Sequence, residues 1–175
     1  MTVILWARIQ PYGSWLIKEN LPKVITNPKN GKARNQLQTA ATMAGWAFTV
    51  AQVGLAHAMA HTVGILYNVP HGAACGIVLP AVMRFNVDFA ADKLAMVAQA
   101  MGVNIAGMDN KKAALAAADA VEKLMKETGH PMRLRDVGVP QDGRGIADGI
   151  PCHLRYRGPF QRPARFRSRG SGGTV

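Results

Sequence analysis

The spacing of small and apolar residues constrains the fold of this chain more than any other feature of its sequence. Along residues 32–50, and again along residues 93–101 and 111–128, such residues recur at intervals of three and four. This period is typical of amphipathic helices. β-Branched residues nowhere alternate over four or more positions, as they would in a half-buried strand. The sequence therefore predicts an all-α fold.

Proline and small residues indicate how these helices end and pack. A first helix is predicted to stop at Pro22, because proline does not fit a helix interior. The small, apolar residues 72–80 predict a buried helix packed tightly on the one before it. We expect Cys75 there to be a core thiol with no neighbouring base, and Trp46 and Phe48 to be core aromatics.

Composition predicts one globular domain with two atypical ends. The chain has 175 residues, 49% of them hydrophobic and 18% charged, which is typical of a globular protein. We divide it into a short N-terminal segment (residues 1–15), a helical domain (16–143) and an Arg-rich tail (144–175). The apolar run in the first segment is too short for a membrane span or a secretory signal, so a cytoplasmic protein with reduced thiols is expected.

The tail, residues 144–175, differs sharply from the rest of the chain. It has seven arginines, no lysine and one acidic residue, and so contributes +6 of the net charge of +11. We interpret it as disordered. Arginine without lysine is also what a GC-rich coding strand yields when it is read out of frame, so we hypothesise that both ends of the chain are frameshifted.

Three of the five histidines lie close together in the sequence. His57 and His61 are four residues apart, so on a helix both point from the same face. His71 lies between Pro70 and Gly72, which favour a turn that directs its side chain back onto that helix. Imidazoles in such an arrangement are good transition-metal ligands, although a pair of hydrogen-bonded histidines gives the same pattern. The zinc-protease motif is excluded, because no glutamate follows the first histidine.

The sequence around these histidines resembles the C-terminal signature of the iron-containing (group III) alcohol dehydrogenases. The matching stretches are GLAHAMAHTVG at 54–64, YNVPHG at 67–72, LP at 79–80 and FN at 85–86. Weaker similarity extends outward, so that the resemblance covers about residues 16–141. It implies a helical bundle corresponding to the C-terminal domain of a dehydroquinate synthase-like fold.

The resemblance also implies roles for the three histidines. In that family an Asp-x-x-x-His motif and two later histidines hold a divalent metal, and the later two correspond to His57 and His71. His61 corresponds to a histidine beside the substrate and nicotinamide that helps to move the proton, and is therefore the implied catalytic residue. The implied cofactors are Fe(II), or alternatively Zn(II), and NAD(P). The Asp-x-x-x-His motif does not occur in this sequence, so two metal ligands are missing.

Three functional interpretations remain open. The first is an NAD(P)-dependent oxidoreductase of this family that acts on a small alcohol or aldehyde. The second is a catalytically silent piece of such an enzyme, because the nucleotide-binding domain and two metal ligands are absent. The third is a basic helical protein that binds nucleic acid through its tail. We favour the first, truncated here, and expect a homo-oligomer or self-association through an exposed interdomain face, without a membrane or nucleic-acid partner.

Overall fold

The structure is a computed structural model that describes residues 2–141, apart from the side chains of residues 2–10 and 50–51. This part of the chain has six α-helices, one short 3-10 helix and no strand. The helices are α1 (Thr2–Thr26), α2 (Gly31–Ala51), α3 (Leu55–Tyr67), α4 (His71–Phe85), α5 (Val87–Ala100) and α6 (Asn110–Glu127), followed by the 3-10 helix Leu134–Val137. The all-α prediction is confirmed.

Helix α4 connects the two halves of the described structure. It packs against α3, α6 and α5, while α1 packs against α2 and α5. The core under α3 and α4 consists of small and medium-sized residues: Ala60, Val63, Val69, Ala74 and Val139. Because Ala60 and Ala74 are both fully buried, the two helix backbones approach each other closely. The prediction that residues 72–80 form a helix packed on the histidine helix is confirmed, but this helix is only partly buried, because Gly72 and Leu79 are exposed.

A turn after α6 brings a histidine ring onto α4. Gly129 has a positive φ of 69°, and the next residue, His130, donates its backbone N–H to the Met125 carbonyl at 2.9 Å. This is the hydrogen bond of a Schellman turn, in which glycine avoids the steric cost of the left-handed conformation. The His130 ring then lies against Gly76, where the Cβ of any other residue would be 2.5 Å from its Cε1 and Nε2 atoms. Only glycine leaves room for this contact.

Two predictions about the first two helices are wrong. Helix α1 does not stop at Pro22 but continues to Thr26, because its packing against α2 and α5 outweighs the loss of one backbone hydrogen bond. Trp46 and Phe48 are not core residues, since they are 66% and 51% exposed. The spacing of apolar residues along 32–50 predicts a helix, but it does not determine which side of that helix other elements cover.

The predictions for the C-terminal end of the chain cannot be compared with the structure. The Arg-rich tail and the last two residues of the predicted helical domain lie outside the described residues.

Within residues 2–141, no single helix is long and apolar enough to cross a membrane. Helices α4 and α5 reach that length and hydropathy together, but the chain bends by 115° between them.

Candidate metal centre

The candidate site is built on the hairpin formed by α3 and α4. Asn68 ends α3 in the left-handed conformation, with a φ of 54°, and Pro70 leads directly into the first turn of α4. Gly64 allows the returning chain to pass close by, because a Cβ at that position would lie 3.3 Å from the Val69 carbonyl oxygen. The short reversal therefore places His71, the first residue of α4, beside α3.

The structure brings together the three histidines singled out in the sequence. The ring centroids of His57 and His71 lie 5.2 Å apart, and those of His61 and His71 lie 4.9 Å apart. The His57 and His61 rings, one turn apart on α3, are separated by 6.4 Å. His57 is half-buried, whereas His61 and His71 are exposed. His71 thus lies next to both histidines of the facing helix.

Cys75 belongs to the same cluster, although its position in the sequence did not predict this. Its Sγ lies 3.4 Å from Nε2 of His71, and one ligand atom each of His57, His71 and Cys75 lies within 4.8 Å of the other two. The prediction that no base lies next to Cys75 is therefore wrong. The predicted core position is confirmed only in part, because the side chain packs against the α3–α4 core but is half-buried. The signal was present in the sequence, since residues 71 and 75 share a helix face once α4 begins at residue 71.

Burial and mutual repulsion affect protonation in this cluster. Partial burial, followed by the neighbouring charges of His71 and His61, lowers the pKa of His57 below its ordinary value. Burial raises the pKa of the Cys75 thiol. Each shift favours the neutral form. For His57 this is the form that can bind a metal ion, because a protonated imidazole has no free lone pair.

The lowered pKa of His57 predicts a pH dependence of stability. In the unfolded chain His57 has the ordinary histidine pKa of 6.5, whereas its pKa in the folded chain is lower. As the pH falls from above 6.5 through the lower pKa, the unfolded chain therefore binds a proton before the folded chain does. The free energy of unfolding of the metal-free chain should therefore decrease across this window. Urea unfolding at several pH values on both sides of 6.5, with a chelator present, measures this. His57→Asn should make the free energy of unfolding depend less on pH. The same pH dependence in this variant would contradict the prediction.

Comparison with known proteins identifies the family. Residues 14–150 match the sequence profile described as "Fe-containing alcohol dehydrogenase family, C-terminal". The chain belongs to the iron-containing alcohol dehydrogenase family. It is 40% identical over 126 residues to 1,3-propanediol dehydrogenase of Klebsiella pneumoniae, covering 72% of this chain and 33% of that protein. It is 46% identical over 100 residues to lactaldehyde reductase of Escherichia coli K12, covering 57% and 26%.

A solved structure of the family shows the same helical arrangement. The crystal structure of a 1,3-propanediol oxidoreductase superposes with a TM-score of 0.75 at 38% identity, and the match covers 78% of this chain and 36% of that one. The helical bundle is therefore the C-terminal domain of the iron-containing alcohol dehydrogenase fold. The chain spans between about a quarter and a third of the length of these relatives, 26% of one and 33% of the other.

The donor atoms in the cluster fit a divalent transition metal of the kind that the family name implies. Two imidazoles and a thiol are all ligands for such ions, and their ligand atoms converge from two helices. Among the side chains of residues 11–49 and 52–141, this is the one group of three or more potential ligands that converge in this way. It contains no carboxylate, so its donors are softer than those of an oxygen-rich site.

Proposed function

We propose that this chain supplies the metal-binding helical part of an NAD(P)-dependent oxidoreductase that interconverts a small alcohol and its aldehyde. The single observation that carries the proposal is the convergence of His57 and His71 from two packed helices, with His61 beside them. Family membership supports the reaction class. The names of the two relatives, a propanediol dehydrogenase and a lactaldehyde reductase, support a small alcohol or aldehyde as substrate.

Each histidine has a separate role in this proposal. The neutral imidazoles of His57 and His71 hold the metal, which is Fe(II) by family resemblance or alternatively Zn(II). When bound, the metal acts as a Lewis acid on the alcohol oxygen and lowers its pKa. His61 is exposed and its ring lies 4.9 Å from that of His71. This exposure and proximity support a role for His61 in taking up or releasing the proton of the alcohol, and NAD(P) would accept or supply the hydride.

A second candidate is that the polypeptide alone is catalytically silent. One observation favours it: no aspartate in the 175 residues is followed four positions later by a histidine. The family's first two metal ligands therefore have no counterpart in this sequence. The two candidates share the metal-binding hairpin and differ in turnover. Adding NAD(P)⁺ and 1,3-propanediol to the metal-loaded chain and following nicotinamide absorbance separates them.

Metal affinity tests the assignment of His57 and His71. We expect calorimetric titration with Zn(II), and with Fe(II) under anaerobic conditions, to show one-to-one binding. His57→Ala and His71→Ala should each weaken it by at least about tenfold, because removing even an indirect partner of a metal ligand typically costs about 10- to 100-fold. The matched control is His130→Asn, which replaces a histidine outside the cluster with a side chain that can still donate to the Pro131 carbonyl.

The His61→Ala variant separates proton transfer from metal binding. If His61 moves the proton, its replacement leaves the metal affinity close to that of the unmodified chain. A large loss of affinity would instead make His61 a ligand. Binding that is indifferent to both His57→Ala and His71→Ala would contradict the proposed metal site.

Self-association and a cytoplasmic location are also part of the proposal. Large apolar side chains are exposed on several helices of the described structure. They include Trp46, Phe48, Ile65, Phe85 and Phe89, each more than half exposed. Exposed apolar surface of this kind favours association with a second protein surface. Sedimentation velocity at increasing concentration measures this, and a monomer at every concentration would contradict it.

A further inference from the structure

The Cys75 thiol lies where the two candidate histidine ligands converge. Its Sγ is 3.4 Å from Nε2 of His71, and the ligand atoms of His57, His71 and Cys75 all lie within 4.8 Å of one another. A tetrahedral ion with bonds of about 2.3 Å to sulfur and about 2.0 Å to nitrogen holds two such ligands about 3.5 Å apart. Cys75 and His71 therefore already have the spacing of two ligands of one ion.

The fold fixes this spacing. His71 is the first residue of α4 and Cys75 follows one turn later, so their side chains share one face of the helix. Between them, Ala74 is fully buried in the core that α4 shares with α3. His57 approaches from α3. All three donors are thus carried by packed helices, which hold ligands more rigidly than a loop does.

We propose that Cys75, as a thiolate, is the third protein ligand of the metal held by His57 and His71, and that the site prefers Zn(II) to Fe(II). This inference rests on the metal-binding part of the proposed function and deepens it. On binding, two metal–nitrogen bonds and one metal–sulfur bond would form as water ligands leave the aqua ion, and the thiol proton would pass to the solvent. The preference follows because thiolate is a soft donor and because Zn(II) binds nitrogen and sulfur ligands more tightly than Fe(II) does.

A hydrogen bond between the Cys75 thiol and the His71 imidazole explains fewer of the distances in the cluster than shared metal ligation does. It accounts for the 3.4 Å separation, but it gives no reason for the His57 ring to lie 5.2 Å from that of His71. Shared ligation accounts for all three side chains. Within the side chains that the structure describes, no fourth donor joins the convergent group, so His57, His71 and Cys75 would leave one position of a tetrahedral ion for water or substrate. Three protein ligands and an open position are the pattern of catalytic zinc sites rather than structural ones.

Cobalt(II) titration of the full chain tests the proposal, because thiolate-bound cobalt has a sulfur-to-metal charge-transfer band in the near ultraviolet. We expect the unmodified chain to develop this band. Cys75→Ser should lose it and bind Zn(II) at least about tenfold more weakly, with a smaller preference for Zn(II) over Fe(II). The matched control is Cys152→Ser, which removes the chain's other cysteine and should keep the band.

The possible results separate this inference from the proposed function. A band that persists in Cys75→Ser, or that never forms although His57→Ala and His71→Ala weaken binding, would overturn the thiolate ligand and leave the proposed metal site standing. Indifference to both histidine variants would overturn both proposals. If Cys75→Ser does not fold, as judged by circular dichroism, the Cys152→Ser chain decides. In that chain Zn(II) must slow the reaction of Cys75 with a thiol reagent, and an unprotected thiol would overturn the proposal.

Discussion

Leu16→Ala is expected to lower the free energy of unfolding by about 3 kcal/mol, the largest effect of any substitution considered for this chain. Leu16 is 1% exposed and is the largest fully buried side chain among the described residues. Its truncation removes apolar contacts and leaves a cavity that packed helices fill incompletely, and such changes cost about 2–5 kcal/mol. Urea unfolding followed by circular dichroism gives the difference in free energy.

Two control substitutions make this result specific. Leu16→Met keeps most of the side-chain volume and should cost less than about 1.5 kcal/mol. Ile25→Ala removes an apolar side chain of the same helix that is 54% exposed, and should cost much less than Leu16→Ala. If Leu16→Ala is as mild as Ile25→Ala, helix α1 is not part of the cooperative core.

Gly76→Ala is expected to destabilise the chain by up to about 2 kcal/mol, although alanine is the better helix former. A Cβ at residue 76 would lie 2.5 Å from the His130 ring, and that ring is held by a 2.8 Å hydrogen bond between its Nδ1 and the Pro131 carbonyl. The ring can move away from residue 76 only by distorting or losing this hydrogen bond. Overpacking of this kind costs about 1–3 kcal/mol. The gain of about 1 kcal/mol in helix propensity offsets part of that cost and leaves a net loss of up to about 2 kcal/mol.

A double-mutant cycle tests this explanation by the sign of the effect. In the His130→Ala background the ring is gone, so Gly76→Ala should stabilise the chain through helix propensity alone. Destabilisation of equal size in both backgrounds would show that the cause lies elsewhere in α4. Because Gly76 follows Cys75, the same variants also show whether metal affinity depends on the packing of this turn.

Local sequence signals were sufficient to predict most of the helices. The predicted helix at residues 32–50 is α2 to within a residue at each end, because Asn30 accepts a hydrogen bond from the Ala33 amide and starts the helix there. The rule that proline ends a helix fails at Pro22, because it considers only the local backbone and α1 also packs against two other helices. Trp46 and Phe48 were misinterpreted because the period of a helix does not say which elements will cover it.

The candidate site could be predicted only in part, for a similar reason. The spacing of His57 and His61 and the turn before His71 were visible in the sequence, and together with the family resemblance they pointed to the cluster that the structure shows. Cys75 was overlooked because its small, apolar neighbours suggested a core position. Its approach to His71 depends on the residue at which α4 begins, and helix boundaries are the least certain part of any prediction from sequence.

The candidate ligands His57, His71 and Cys75 all come from one helical hairpin, within nineteen residues of the sequence. Bringing the ends of so short a loop together costs little conformational entropy. An unfolded chain can therefore chelate the same ion with the same side chains, and any such affinity subtracts from the stability that the metal gives to the folded state. If His57, His71 and Cys75 hold an ion as proposed, metal binding would therefore stabilise the fold by less than the affinity of the folded chain alone implies.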